Sequence, residues 1–202
     1  MGIGTVANIM VAPARLLYSP VATAAPDETS VAVGGTWTSW TDLGYTLTPL
    51  ALKYEADIFD LEVEQEMSPV RKTRMSEKLT FEVTLAELTA ANLKLALAST
   101  STISTTAAGA AQHGYEEVSF GGETNLPIYQ YGIEGYTADS SNNLMPVRLF
   151  IWKAHVILTG DVEFSKRDAT GVPVQIHAIV DTSQSAGAKL FKFQRVTAWK
   201  TA

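Results

Sequence analysis

The chain has 202 residues and contains no cysteine, which excludes disulfides, thiolate catalysis and thiolate metal sites. Its composition, 46% hydrophobic and 18% charged, is typical of a folded globular protein with a sizeable core. No apolar run reaches the length of about 18 residues that a membrane-spanning helix requires. The net charge of −6 argues against a protein that holds nucleic acid by neutralising its phosphates. We therefore expect a single domain over residues 1–202 and no membrane span.

The first part of the chain lacks the periodicity of a helix or a strand. Pro13, Pro20 and Pro26 interrupt it, and the residues around Pro26 are small and polar. We therefore expect an irregular N-terminal arm over about 1–35.

The segment after Tyr54 is predicted to form a strand, a charged loop and a second strand. Residues 60–67 and 79–85 alternate between apolar and polar side chains, as strands with one buried face do. The connection between them is too long for a two-residue turn, so we predict a long hairpin loop over about 68–78.

A short helix and further strands follow. Thr89 is a candidate N-cap, and Leu93 and Leu97, one turn apart, are predicted to form the apolar face of the helix. Alternation returns over Met145–Leu158 and again over 172–181. These elements predict a mainly β fold, an antiparallel β-sandwich or barrel-like domain with one flanking α-helix.

Patterns that indicate catalysis or metal binding are weak. Glu62, Glu64 and Glu66 would share one face of a strand, but neighbouring carboxylates repel one another and no aromatic residues accompany them, so a hydrated surface is expected. The three histidines are far apart in sequence and belong to no HExxH motif. They are His113, His155 and His177. The last two fall on polar strand faces and could be neighbours, although exposure to solvent is the simpler interpretation and the one we favour. We expect no enzyme activity, no metal site and no cofactor.

Charges are segregated around the predicted hairpin. Acids, without a cation, occupy the stretch from Tyr54 to Glu66, and cations dominate the next dozen residues. The acids are Glu55, Asp57, Asp60, Glu62, Glu64 and Glu66, and the cations are Arg71, Lys72, Arg74 and Lys78. The pattern fits either a solvated hairpin or an acidic stem whose basic loop contacts acids of another subunit. Such a contact between two different patches is heterologous, and heterologous contacts build rings or open stacks.

The order of these segments resembles the tail tube proteins of long-tailed bacteriophages. The stretches that carry the resemblance are APARLLYSP, GTWTSWTDLGYT, the segment from Asp60 to Leu97, LPIYQYGIEGYTADSSNNLMPVRLFIWKA and VPVQIHAIVDT. The resemblance implies a structural virion protein, six copies of which form a ring, with rings stacked into the tube that conducts DNA into the host cell. It implies assembly in the host cytoplasm. The implied partners are other copies of the chain and the tape measure, tail tip and terminator proteins.

The resemblance also implies roles for particular residues. In that family the long hairpin loop contacts the adjacent ring, and the N-terminal arm has a similar role. The corresponding loop residues here are Ser68, Pro69, Val70, Arg71, Lys72, Arg74 and Lys78.

The inner wall of such a tube has to let DNA pass without binding it. Duplex DNA carries about one negative charge per 1.7 Å of its axis, so an acidic, hydrated wall suits rapid passage. Our candidates for that wall are Glu62, Glu64, Glu66, Glu82 and Asp57. The opposite strand face is expected to pack under the helix through Leu61, Val63, Phe81, Val83 and Leu85.

Two other functions fit the same pattern. One is the tube protein of a contractile injection system, which shares the ring architecture. The other is a β-sandwich adhesion or carbohydrate-binding module, for which Trp37, Trp40 and Tyr45 would have to form an exposed aromatic platform. The simpler interpretation of these aromatic residues is that they fill or cover a core.

Overall fold

The structure is a computed structural model that describes residues 12–28, 31–138 and 143–198. Within these ranges the chain forms ten strands and one helix. The elements are β1 (Arg15–Pro20), β2 (Thr41–Asp42), β3 (Ala51–Leu61), β4 (Arg71–Leu85), α1 (Ala90–Ala96), β5 (Ser104–Thr106), β6 (Tyr115–Glu117), β7 (Tyr129–Ala138), β8 (Leu144–Leu158), β9 (Val172–Ala178) and β10 (Phe191–Arg195).

Eight of the described strands form one antiparallel sheet. Seven of them lie side by side in the order β2-β1-β7-β8-β9-β4-β3. The eighth, β10, pairs with β8 beyond the end of β9, and β5 and β6 form a separate two-stranded sheet. The prediction of a mainly β, antiparallel fold with one flanking helix is confirmed. The large sheet is open rather than closed into a barrel.

The main hydrophobic core lies on one face of the large sheet. Alternate residues of β4, β8 and β9 point into it, as the period of two in a strand requires. They include Leu79, Phe81, Val83, Leu85, Ala154, Val156, Val172, Val174 and Ile176. Full burial of a Leu, Ile, Val or Phe side chain stabilises the fold by about 1.5–3 kcal/mol, so this face supplies much of the driving force for folding.

The flanking helix covers this core, with a different face from the predicted one. Thr89 is the N-cap as predicted, since its hydroxyl accepts a hydrogen bond from the backbone N–H of Asn92 at 3.1 Å. The buried helix residues are Asn92, Leu95 and Ala96, whereas Leu97 is exposed and is the C-cap. The predicted face was wrong because Asn92 points inward, where its side-chain amide donates to the backbone carbonyls of Leu43 and Glu87.

The predicted N-terminal arm contains part of the sheet. Arg15–Pro20 form β1, which pairs with β7 along its whole length. The prediction of an irregular segment over 1–35 is therefore wrong for these residues. Both Leu16 and Leu17 are buried because each face of this inner strand is covered. Pro20 ends the strand rather than preventing it. Residues 1–11 of the predicted arm lie outside the described residues.

A segment that we call the strap, residues 31–40, crosses the second face of the sheet. A buried ion-pair network holds it there. Glu134 accepts hydrogen bonds from Arg148 Nε at 3.0 Å and from Arg15 Nε at 2.9 Å. The backbone N–H of Gly34, in the strap, donates to the same carboxylate at 3.0 Å. The side chains of Arg148 and Glu134 are each only 1% exposed, so this pair is removed from solvent, whereas the side chain of Arg15 is 23% exposed.

Trp37 closes the space between the strap and the sheet. It packs with Leu17 and Phe150 in a second apolar cluster, and its ring centroid lies 5.2 Å from that of Trp40. The residue beneath it is Gly132, where any Cβ would overlap the indole ring. A glycine is therefore required at that position for the strap to lie against β7.

Candidate assembly surface

The β3–β4 hairpin extends beyond the rest of the sheet. β9 pairs with β4 only over Thr80–Leu85, whereas β3 pairs with β4 along its full length from Ala51 to Leu61. Residues 55–61 and 71–78 therefore form a two-stranded ladder that no other described strand flanks. We call this part the projecting hairpin and its connection, residues 62–70, the tip.

The tip lies earlier in the chain than predicted. β3 ends at Leu61, so residues 62–67 are not the second half of a strand. β4 begins at Arg71, so the predicted long loop is wrong for residues 71–78, which belong to a strand. Ser68, Pro69 and Val70 do lie in the connection.

Facing opposite charges favour the observed register at two of the four cations. Lys72 Nζ is 2.7 Å from Asp60 Oδ2, and Lys78 lies directly opposite Glu55 in the register. Opposite charges on facing positions of an antiparallel pair stabilise that register. A strand over 60–67 would instead align Glu62, Glu64 and Glu66 on one face without these partners.

Arg74 is also engaged within the hairpin. Its Nη1 donates to Glu77 Oε1 at 2.8 Å, and its Cζ lies 5.9 Å from the centroid of the Tyr54 ring. The hydrogen bond from Arg74 lowers the pKa of the Glu77 carboxyl. Of the four predicted loop cations, only Arg71 and Lys78 lack an ion pair among the described residues. The hairpin therefore does not present the free basic loop that the sequence predicted.

The projecting hairpin exposes large apolar side chains on both of its faces. Ile58 and Phe59 are adjacent in β3 and therefore point to opposite faces, yet they are 56% and 53% exposed. Further exposed apolar residues in the hairpin are Leu52, Tyr54, Leu61, Val63, Met67, Val70 and Met75. This corrects the expectation that Leu61 and Val63 pack under the helix. Large apolar side chains exposed in this number are a candidate interaction surface.

The outer edge of β3 adds unpaired backbone groups to this surface. β3 is the terminal strand of the sheet, so its outward N–H and C=O groups have no strand partner in the described part of the chain. It is eleven residues long, whereas the terminal strand at the other end, β2, has two. A long exposed edge is a template for pairing with another chain.

The predicted wall residues fall into two separate groups. Glu62, Glu64 and Glu66 lie in the tip, and no ion pair or side-chain hydrogen bond of theirs is found within the described ranges. Glu82 lies at the base of the hairpin, opposite Ala51, where its carboxylate accepts a hydrogen bond from Gln175 Nε2 at 2.6 Å. The ten residue steps between base and tip span roughly 33 Å of strand, so the two groups do not meet.

Asp57 lies between these two groups. It faces Ser76 at a β-bulge, after which the register shifts so that Ile58 faces Arg74. A bulge increases the local twist of a strand pair, so the distal half of the hairpin is turned relative to its base.

The described residues contain little that indicates other chemistry. No group of three or more His, Asp or Glu side chains in these ranges is arranged to hold a metal ion. The one described helix is too short to cross a membrane. The features that stand out are therefore the apolar projecting hairpin, its acidic tip and the open edge of β3.

Comparison with known proteins agrees with an assembly role. Curated proteins give no sequence match. A family model described as phage tail tube protein matches residues 1–194, which is nearly the whole chain. This chain therefore belongs to the phage tail tube protein family.

Proposed function

We propose that copies of this chain join side by side into rings of six, and that the rings stack into the hollow tube of a phage tail. Membership of the family supports a structural role in the tail tube. The observation that carries the finer proposal is the projecting hairpin, whose apolar side chains are exposed on both faces. An isolated two-stranded hairpin is marginally stable in water, so such a surface is useful to a chain that buries it against another copy.

The contact between copies is heterologous in this proposal. The edge of β3 and the projecting hairpin of one copy lie against a different surface of the next copy, and a contact of that type closes into a ring. Backbone pairing along β3 supplies part of the contact, and burial of Ile58 and Phe59 supplies about 1.5–3 kcal/mol for each side chain.

The acids of the β3–β4 hairpin that form no ion pair among the described residues are proposed to face the bore. Glu62, Glu64, Glu66 and Glu82, with Asp57, would give each ring a negative inner surface. Duplex DNA carries about one charge per 1.7 Å, so a negative wall repels it and keeps it from adhering during passage. The separation of Glu82 from the tip distributes this charge along the hairpin instead of concentrating it at one level.

The tip is proposed to reach the neighbouring ring. It includes Ser68, Pro69 and Val70, whereas Arg71, Lys72, Arg74 and Lys78 support it from the ladder. The proposed partners are other copies of this chain and the tape measure, tail tip and terminator proteins. The proposed location is the virion tail, after assembly in the host cytoplasm.

Electron microscopy of the purified protein tests the ring and tube. At high protein concentration we expect rings or hollow rods in negative stain, because each copy carries both halves of the contact. A chain that stays monodisperse and monomeric at every concentration and salt tested would contradict the proposal.

A cryo-EM map of the same rods tests the bore. We expect the carboxylates of Glu82 and of the tip to line the central channel. A map in which they point outward or into contacts between copies would reject the negative wall, even though the tube itself was present.

The buried position of Trp37 weighs against the adhesion module. That module needs an exposed aromatic platform, and Trp37 lies between the strap backbone and the sheet, where it is only 2% exposed. Trp40 packs against Trp37. Of the three residues that would form the platform, only Tyr45, at 82%, is largely exposed.

A further inference from the structure

The short strand β10 has one edge without a strand partner in the described part of the chain. It pairs with β8 over Phe191–Arg195, on the same side of β8 as β9. Its second edge, which faces away from β8, pairs with none of the other described strands. The N–H and C=O groups along that edge are therefore available to a strand of another chain.

The space beside this edge is open. Because β4 pairs with β9, residues 71–78 of β4 run alongside β10, yet the two strands do not pair. A cavity of about 450 Å³ lies between them, with Ser76 and Glu77 on one side and Leu190 and Phe191 on the other. The β-bulge turns the projecting hairpin relative to its base, which is consistent with this separation. A strand from outside can therefore approach β10 without displacing a paired strand.

Exposed apolar residues of β3 and β10 lie on the same face of the sheet. Tyr54 faces the core residue Leu79, so Ile58, four residues further along β3, is on the core side. Phe193 faces Leu149, which packs against the same core, so it is on the core side too. Ile58 is 56% exposed and Phe193 is 60% exposed. Rotation about a ring axis keeps the same face of every copy turned inward, so the two side chains can cover each other across a contact between copies.

Opposite charges lie on the other face of the same two strands. Residues 187–195 contain three cations and no acid, whereas residues 55–61 contain three acids and no cation. Lys192 faces Phe150 of the second apolar cluster, and Asp57 precedes Ile58 in β3, so both lie on the face opposite the main core. This charge complementarity favours β3 of a second copy as the partner of β10.

Asp57 is the acid of β3 that remains for such a partner. Glu55 is paired with Lys53, and Asp60 is paired with Lys72. Within the described ranges neither Asp57 nor Lys192 forms an ion pair. A contact between copies would therefore bring together two charges that have no other ionic partner there.

We propose that β10 is the edge that receives a second copy of this chain. The outer half of β3, residues 55–61, pairs with β10 of the next copy, so that the large sheet continues from subunit to subunit. Ile58 then covers Phe193 on the core side, and Asp57 lies near Lys192 on the opposite face. Backbone hydrogen bonds form along two edges that are otherwise open. This pairing rests on the ring contact proposed above and supplies its second half.

Cysteine cross-linking of the assembled protein tests the pairing, since the chain has no cysteine of its own. The variant Ile58→Cys with Phe193→Cys, oxidised after assembly, should give a ladder of covalent multimers on a non-reducing gel. The matched control is Ile58→Cys with Tyr115→Cys, because Tyr115 is 53% exposed but lies in the separate β5–β6 sheet. The control should give no multimer larger than a dimer.

Exchange of the two charges provides the second measurement. Asp57→Lys and Lys192→Glu should each raise the concentration needed for assembly about tenfold, because each change places like charges side by side. The variant with both changes should assemble as the wild type does, because opposite charges are again adjacent. Lys166→Glu is the control, because it reverses an exposed charge in the β8–β9 connection and should leave assembly unchanged.

The possible outcomes separate this pairing from the proposed tube. Absence of rings and rods in the wild type would reject the tube and the pairing together. Rods of the Ile58 and Phe193 cysteine variant that give no ladder would reject the pairing alone. If that variant does not assemble, the charge exchange decides. Normal assembly by Lys192→Glu, or no recovery in the variant with both charges exchanged, would also reject the pairing while the wild-type tube stands.

Discussion

Replacing Arg148 with methionine should lower the free energy of unfolding by about 3–5 kcal/mol. The substitution keeps much of the side-chain volume but leaves the buried Glu134 carboxylate with Arg15 as its remaining charged partner. Breaking a buried pair from one side costs more than the pair contributes, because the other charge cannot return to water. Urea denaturation followed by tryptophan fluorescence measures the effect, because one of the four tryptophans, Trp37, has its ring 5.6 Å from Arg148 Cζ.

Two further variants make this result specific. The double variant Arg148→Met with Glu134→Leu should recover part of the loss, because it removes the stranded charge. Arg74→Met removes an arginine from an ion pair that is exposed to solvent, so its denaturation midpoint should stay close to that of the wild type. Equal midpoints for Arg148→Met and Arg74→Met would show that the network does not hold the strap.

Placing two aspartates in the projecting hairpin should abolish self-assembly while the chain still folds. Ile58→Asp with Phe59→Asp puts one charge on each face of β3 where the proposed contact buries apolar surface. Loss of about 1.5–3 kcal/mol for each side chain predicts a rise of at least about 100-fold in the concentration needed for assembly. Sedimentation and electron microscopy measure assembly, and circular dichroism checks the fold.

The control for this variant adds the same charge elsewhere. Tyr115→Asp with Phe120→Asp changes two exposed aromatic residues, 53% and 39% accessible, near the separate β5–β6 sheet. It should assemble as the wild type does. If the Ile58 and Phe59 double variant forms normal tubes, the hairpin takes no part in the contact between copies.

Features of the fold that depend on residues close together in the sequence could be predicted. The alternation around Val156 and Ile176 identified two central strands, because one buried face imposes a period of two. Thr89 was identified as a helix cap because a capping side chain acts on a backbone group three residues away.

The hairpin boundaries could not be predicted by the same rule. Alternation occurs both around Tyr54 and in the tip, so the pattern alone offers two possible strands. The choice depends on facing charges, such as Lys72 with Asp60, that only the register brings together. The alternation from Leu52 to Ala56 was the available signal, and the acids of the tip obscured it.

The ion-pair network under the strap has no local signal at all. Arg15 and Glu134 are 119 residues apart, and they meet because β1 and β7 pair at those positions. The sequence showed Arg148 as one more polar residue in an alternating strand. Long-range contacts of this kind follow from topology, which composition and periodicity do not specify.

The unequal ends of the large sheet have a consequence for any polymer built through them. An eleven-residue strand borders one end and a two-residue strand the other. In the proposed heterologous contact, the long edge of each copy lies against a different surface of the next copy, so every subunit follows its neighbour in the same sense. A ring of that kind has no two-fold axis in its plane, and its upper and lower rims are chemically distinct. The filament proposed here would therefore be polar, with chemically different surfaces at its two ends.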